Sequence, residues 1–243
     1  MRLRALARRL PGPVYRTLRG IARRLRPAPP VTAPPTPGPL VTGVAPRLAA
    51  IPGWLNLDDL AHFSLVLGTQ SAAGLRGDLL EIGCFHGRAA AVLAMHLRPG
   101  ERLVLVDLFD LPSDEPYGDR PSPGQVRRNL AHALPALDLG QVLILRADSR
   151  GLRLPGDLRV RFAHVDGGHA PDTVRADLEQ CASCLLPGGV IAVDDYAHPR
   201  HPGVTAGTDA FLAANPHWQR LADLNRTGAL GRKLYLTRGV EPS

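Results

Sequence analysis

Four short apolar runs, DLLEI, RLVLV, RFAHV and GGVIAV, end at a glycine turn or an acidic residue, and helical segments separate them. Runs this short, closed by Gly, Pro or Asp, read as buried strands rather than helices. Strands alternating with helices imply βαβ units and a parallel sheet. The spacing predicts strands over 78–82, 102–106, 141–145, 162–165 and 190–193. Helices are expected from residue 56 or 57 onward and over 88–97, 125–136, 173–186 and 204–214. Two closing runs, 218–224 and 233–237, are joined through Asn225-Arg226-Thr227-Gly228. A connection that short makes them an antiparallel pair. The expected architecture is one α/β domain, a Rossmann-like, doubly wound, mostly parallel seven-stranded sheet with a terminal antiparallel pair.

Charge divides the chain. The formal net charge is +7, yet residues 1–47 hold ten Arg and no acid. Residues 48–243 carry 19 basic and 22 acidic residues, a net of −3. A nucleic-acid binder needs its basic stripe on the folded surface, so no nucleic-acid partner is expected. In residues 1–26, Val14, Leu18, Ile21 and Leu25 follow helical spacing, with Arg16, Arg19, Arg23 and Arg26 largely opposite. Such a basic amphipathic arm can lie on an anionic membrane surface; an arm of this composition can also stay solvated and unfolded. Residues 27–50 read as a linker, with eight prolines in 27–46. The folded domain is expected over 51–243. The three cysteines do not form a disulfide framework, and Cys181-x-x-Cys184 lies on an apolar helical run where packing explains it. No apolar stretch reaches the length of a membrane span, and no secretory signal is present. These features suit the cytoplasm, with peripheral membrane contact through the arm and homo-oligomerisation both left open.

The chemistry collects at the strand ends. Glu81-x-Gly83-x-x-x-Gly87 follows the first strand and opens a helix, where glycines let backbone approach a ligand. Asp107 ends the second strand 20 residues after Gly87, the spacing at which an acid meets a nucleotide ribose. Asp166 ends the fourth strand, and Asp194-Asp195 end the fifth. Three carboxylates at one sheet edge form a hard oxygen site suited to Mg²⁺. An alcohol is a poor nucleophile toward a sulfonium methyl, and Mg²⁺ on the acceptor oxygen would lower its pKa. His169 could then take the proton near neutral pH. A metal-free variant, with Asp166 or His169 alone as base, is also open. His198 and His201 follow the aspartate pair on a Pro-stiffened loop and are candidates to touch the acceptor or add a ligand. Tyr117 and Arg120 are candidates for a lid.

These segments resemble the class I S-adenosylmethionine-dependent methyltransferases over roughly residues 51–238, most closely the bacterial small-molecule and sugar O-methyltransferase branch. LLEIGCFHGR is similar to the first methyltransferase motif, which implies Glu81, Gly83 and Gly87 around the methionine moiety. VLVDLFD implies Asp107 at the ribose hydroxyls, and RADS implies Asp148 and Ser149 near the adenine. Asp166, Asp194 and Asp195 stand in the register of the Mg²⁺ ligands of catechol-type and macrolide-sugar enzymes. His169 stands three residues past the first ligand, where the catechol-type enzymes carry their general base. Two positions depart from the pattern. Ala89 and Ala90 stand where relatives often have Ser or Thr, and Pro171 where an aromatic is common.

The implied activity is methyl transfer to a hydroxyl of a small molecule or of a sugar or glycan precursor. Two other readings compete. One is a non-catalytic module that binds S-adenosylmethionine or sits at a membrane. The other is an NAD-dependent oxidoreductase, disfavoured by the missing GxGxxG and by Lys233 being the only lysine.

Overall fold

A computed structural model describes residues 44–112, 119–226 and 230–239. The basic arm, most of the linker, Tyr117 and part of the final turn lie outside the described residues. Seven strands form one sheet: β1 (Asp78–Ile82), β2 (Leu103–Asp107), β3 (Val142–Arg146), β4 (Val160–Val165), β5 (Leu185–Tyr196), β6 (Trp218–Asn225) and β7 (Arg232–Arg238). Their order is β3-β2-β1-β4-β5-β7-β6. The first five run parallel, and β7 pairs antiparallel with both β5 and β6. The expected class and closing pair are therefore correct. β7 slots between β5 and β6, so both of its edges are paired.

Six helices pack on this sheet: α1 (Ala45–Ala49), α2 (Leu57–Ala72), α3 (Arg88–Ala94), α4 (Pro123–Ala133), α5 (Pro171–Cys184) and α6 (Pro202–Ala214). Leu79, Leu103, Leu105 and Phe162 face a core shared with α1 to α4. Their neighbours Leu80, Val104, Ala163 and Ile191 face a second core with α5 and α6. Period-two alternation thus buries apolar side chains on both faces, the mark of a doubly wound sheet. α1 lies in the stretch expected to be linker. It forms because Pro46 suits a first helical turn, and its Leu48 is buried in the first core. α3 stops at Ala94, short of the expected residue 97. Cys181 packs in the second core and both it and Cys184 are free thiols, as packing alone requires.

α2 begins with a reciprocal cap. Asn56 Oδ1 accepts from the Asp59 amide at 3.0 Å, and Asp59 Oδ2 accepts from the Asn56 amide at 3.2 Å. This cap fixes Asp59, fully buried, over the carboxyl edge of the sheet.

Candidate active site

The chain changes its direction of sheet growth between β1 and β4, and open α/β folds bind ligands at such a switch point. Here the turn after β1 presses on the end of β4. Gly83 has φ +85°, and a Cβ there would lie 1.9 Å from the Asp166 carbonyl oxygen. Only glycine permits that approach. Gly87, φ +87°, caps α3. The non-glycine residues with positive φ among those described are Phe85, Phe109, Asp195 and Ala197. All four follow or end strands at this same edge, where backbone strain commonly accompanies function.

The expected cofactor residues fall into two groups. Asp107 holds the β1 and β2 turns in place: its Oδ2 accepts from the Phe85 amide at 2.8 Å and its Oδ1 from the Phe109 amide at 2.7 Å. Glu81 is buried, with Oε1 2.9 Å from His164 Nδ1 and Oε2 without a partner among the described residues. Burial raises its pKa. Asp148 and Ser149 sit one strand further out, where Asp148 caps a short 3₁₀ turn and pairs with Arg150 at 2.6 Å.

Asp166, His169, Asp194 and Asp195 line one cleft, together with Gly167 and Gly168. His169 Nε2 lies 3.7 Å from Asp195 Oδ2. The His201 ring stacks on His169 with centroids 3.7 Å apart, and His198 lies 4.5 Å from His201. Gly203 lets α6 reach this loop, since a Cβ there would meet the His169 carbonyl at 2.3 Å. Asp166 opens to solvent in the cleft but is ringed by protein. That surrounding mass, then the adjacent Asp194 carboxylate, raises its pKa well above the ordinary range.

Sequence reasoning missed the cations. Lys233 is fully buried, and its Nζ lies 2.5 Å from Asp194 Oδ2, 3.1 Å from His164 Nε2 and 3.7 Å from Asp59 Oδ1. Arg226 reaches Asp194 Oδ1 at 2.8 Å, Asp195 Oδ1 at 3.3 Å and Asp59 Oδ2 at 3.4 Å. Burial alone would lower the Lys233 pKa, but Asp194, Asp59 and Asp166 together raise it. Asp194 is held well below the usual range: burial acts against this, and Lys233, His164 and Arg226 outweigh it. Burial and the ammonium oppose a charge on His164, but Asp194 and Glu81 outweigh them and raise its pKa to about 9. Its Nε2 faces the ammonium at 3.1 Å and its Nδ1 faces Glu81 Oε1 at 2.9 Å.

A divalent metal fits this arrangement poorly. The donor atoms of His164, Asp166 and Asp194 lie within 4.8 Å of one another, but two of the three already face the Lys233 ammonium. Asp194 has a cation on each oxygen, and Asp195 shares Arg226. Asp166 forms no ion pair among the described residues. A second group, His169, Asp195 and His201, also converges within 4.8 Å. Its two rings are nearly parallel, 18° apart, so their in-plane lone pairs do not meet at one point.

Residues 80–196, from within β1 to the end of β5, match a family model described as a methyltransferase domain. The chain carries a class I, S-adenosylmethionine-dependent methyltransferase domain. Among solved structures it is similar to the O-methyltransferase NovP, with 19% identity over 76% of this chain and 81% of that one, and a TM-score of 0.60. It is similar to CalS11, TDP-rhamnose 3'-O-methyltransferase of calicheamicin biosynthesis: 18% identity, 84% and 87% covered, TM-score 0.56. A third is an O-methyltransferase from Bacillus cereus in complex with S-adenosylhomocysteine: 18% identity, 90% and 94% covered, TM-score 0.54. These likenesses show the shared fold. No curated protein matches the chain in sequence. Among the described residues, no helix is long and apolar enough to cross a membrane.

Proposed function

We propose that this methyltransferase domain transfers a methyl group to a hydroxyl of a small molecule, with a sugar or glycan precursor as the favoured acceptor class. The observation that carries the reading is the His169–Asp195 pair, 3.7 Å apart, in one cleft with Asp166 at the switch point. S-adenosylmethionine, when bound, supplies an electrophilic methyl group on a sulfonium. The orphaned Glu81 Oε2 and the oriented Asp107 carboxylate suit an amine and a ribose, and Asp148 with Ser149 would flank the adenine.

His169 would accept the acceptor's hydroxyl proton as the oxygen forms its bond to carbon and the sulfur–carbon bond breaks. Asp195, across from Nε2, would stabilise the imidazolium. Asp166, next to Gly83, would hold the acceptor hydroxyl in line. A magnesium-assisted form, with Asp166, Asp194 and Asp195 as ligands, would require Lys233 and Arg226 to withdraw from Asp194; the ion pairs favour the reaction without it. The sugar class rests on the likeness to CalS11, a TDP-rhamnose 3'-O-methyltransferase. Contact of residues 1–26 with an anionic membrane is a separate proposal, checked by liposome flotation of the full chain with and without residues 1–47.

The test is calorimetric titration of S-adenosylmethionine into the protein, followed by radiolabelled methyl transfer onto a panel of nucleotide sugars and catechols. Micromolar binding and transfer to a sugar are expected. His169→Ala should cut transfer by about 10²–10⁴-fold and leave cofactor binding intact. Equal loss of binding and transfer would remove His169 from the role of base, and absence of binding would end the reading.

A further inference from the structure

We propose that Lys233, supported by Arg226, is the built-in cation of the acidic cluster, so that the site works without a bound divalent metal. This inference rests on the methyltransferase reading and specifies how its site is charged.

The ammonium already stands where a metal would compete. It contacts Asp194 Oδ2 at 2.5 Å and His164 Nε2 at 3.1 Å, two of the three convergent donors at this edge. A magnesium ion needs oxygen ligands at about 2.0–2.1 Å and repels any ammonium that shares them. Lys233 cannot easily move aside. Its strand is paired on both sides, with Leu234 opposite Val193 and Lys233 opposite Leu224. Its side chain is fully buried below Phe63, whose ring centroid lies 5.2 Å from Nζ. Asp59, fixed by the α2 cap, closes the remaining side at 3.7 Å. A buried ammonium in such a place is costly unless it is paired, and here Asp194 and Asp59 supply the pairing.

A further acid, Asp195, depends on this arrangement. With Lys233 on Asp194 Oδ2, Arg226 can bridge Asp194 Oδ1 and Asp195 Oδ1 at 2.8 and 3.3 Å. Asp195 Oδ2 is then turned toward His169. Lys233 and Arg226 are accordingly positioning residues: they neutralise Asp194 and aim Asp195, touching no reacting atom.

The deciding experiment follows Mn²⁺ uptake by the paramagnetic resonance signal of free Mn²⁺, using the full chain. Three proteins are compared, wild type, Lys233→Ala and Asp194→Asn, each also titrated with S-adenosylmethionine. Wild type should leave the Mn²⁺ signal unchanged, and its turnover should be the same in EDTA as in Mg²⁺. Lys233→Ala should gain one Mn²⁺ equivalent, because the vacated space now faces uncompensated carboxylates. Stoichiometric Mn²⁺ uptake by wild type, abolished in Asp194→Asn, overturns the proposal; so does a folded Lys233→Ala that takes up none. If Lys233→Ala does not fold, Lys233→Gln serves in its place with the same two outcomes. Cofactor binding is scored separately, so a protein that fails to bind S-adenosylmethionine sinks the methyltransferase reading and leaves the Mn²⁺ result standing on its own.

Discussion

The two ends of the central sheet both bury charge, and they use it differently. At the amino edge Arg161, fully buried, donates to Glu101 at 3.1 Å, to Gln70 at 3.3 Å and to the His96 carbonyl at 2.7 Å. Glu101 also accepts from Arg98 at 2.9 Å and from the Gly77 amide at 3.2 Å. Against the cost of burial, Arg98 and Arg161 hold Glu101 below the ordinary carboxylate range. Asp78 is paired with Arg102 at 2.8 Å. Every acid in this group has a base beside it. At the carboxyl edge acids exceed bases, Asp166 forms no ion pair among the described residues, and the Glu81 Oε2 atom has no partner. Among the described residues, the non-glycine positive φ values lie only there. A charge that is fully answered can only hold the fold, whereas an unanswered one is available to a ligand.

The contrast is broken most severely at Gly83. A Cβ at 1.9 Å from a backbone oxygen cannot be relieved by a side-chain rotation, so Gly83→Ala should separate the β1 and β4 turns. We expect S-adenosylmethionine affinity to fall by on the order of 100-fold or more, as for interactions worth a few kcal/mol. Gly68→Ala, with nothing within 4 Å of its Cβ, is the control and should gain about 0.5–1 kcal/mol of helix stability. Calorimetry and thermal melts of the pair decide the matter.

Arg161→Met tests the opposite end. It leaves Glu101 buried with one cation fewer, and should cost about 3–5 kcal/mol in urea unfolding. Turnover per folded molecule should not change. A matching fall in turnover would show that the amino edge takes part in the chemistry.

Acid exposes the balance of both ends. Asp194 and Asp195 have pKa values below their ordinary range; for Asp195 burial opposes this, and the His169 contact, with His198 and Arg226, outweighs it. A carboxyl whose folded pKa is depressed adds stability that is present above the unfolded pKa of about 3.9. That stability is lost as pH falls through the folded value. Wild type should therefore lose stability steeply below about pH 4, and Asp194→Asn should be less stable than wild type at pH 7 with a shallower acid slope. Denaturant melts between pH 2 and 7 provide the comparison.

The smallest effect is expected at Asp177 on α5, which is fully buried, with the Ser149 side chain only partly offsetting that burial. Burial pushes its pKa up to about 6. A raised carboxyl pKa adds stability at low pH that disappears as pH rises through about 6. Asp177→Asn should thus stabilise the protein by about 1–3 kcal/mol at pH 8 and leave it unchanged near pH 4. A stabilisation independent of pH would show that the carboxyl is not charged in the folded protein.

The central strands β1, β2 and β4 were readable because each is a short apolar run with both faces buried. Asp78–Ile82 was placed to the residue, and the others fell within a few positions except β5, whose first five residues include Pro187 and two glycines that read as a turn. Asp166, His169, Asp194 and Asp195 were readable as a cluster because parallel strands end together at one edge. Their partners were not. Lys233 sits in the alternation Arg-Lys-Leu-Tyr-Leu, where a lone lysine looks like a solvent-facing position. It is buried because Phe63 and Asp59 of α2 lie over that face, a contact that period-two patterning does not encode. Arg226 looked like a turn residue, and Asp59 like an ordinary first-turn acid. Each acquires its second role only through contacts across more than a hundred residues of chain or across neighbouring strands.

That single lysine offers something further. Protein labelled with nitrogen-15 only at lysine Nζ carries one side-chain amine in the whole chain, so its resonance spectrum holds one signal, and that signal comes from beside the acids of the cleft. Its frequency and solvent exchange would report each arrival of cofactor, product or acceptor without any engineered probe.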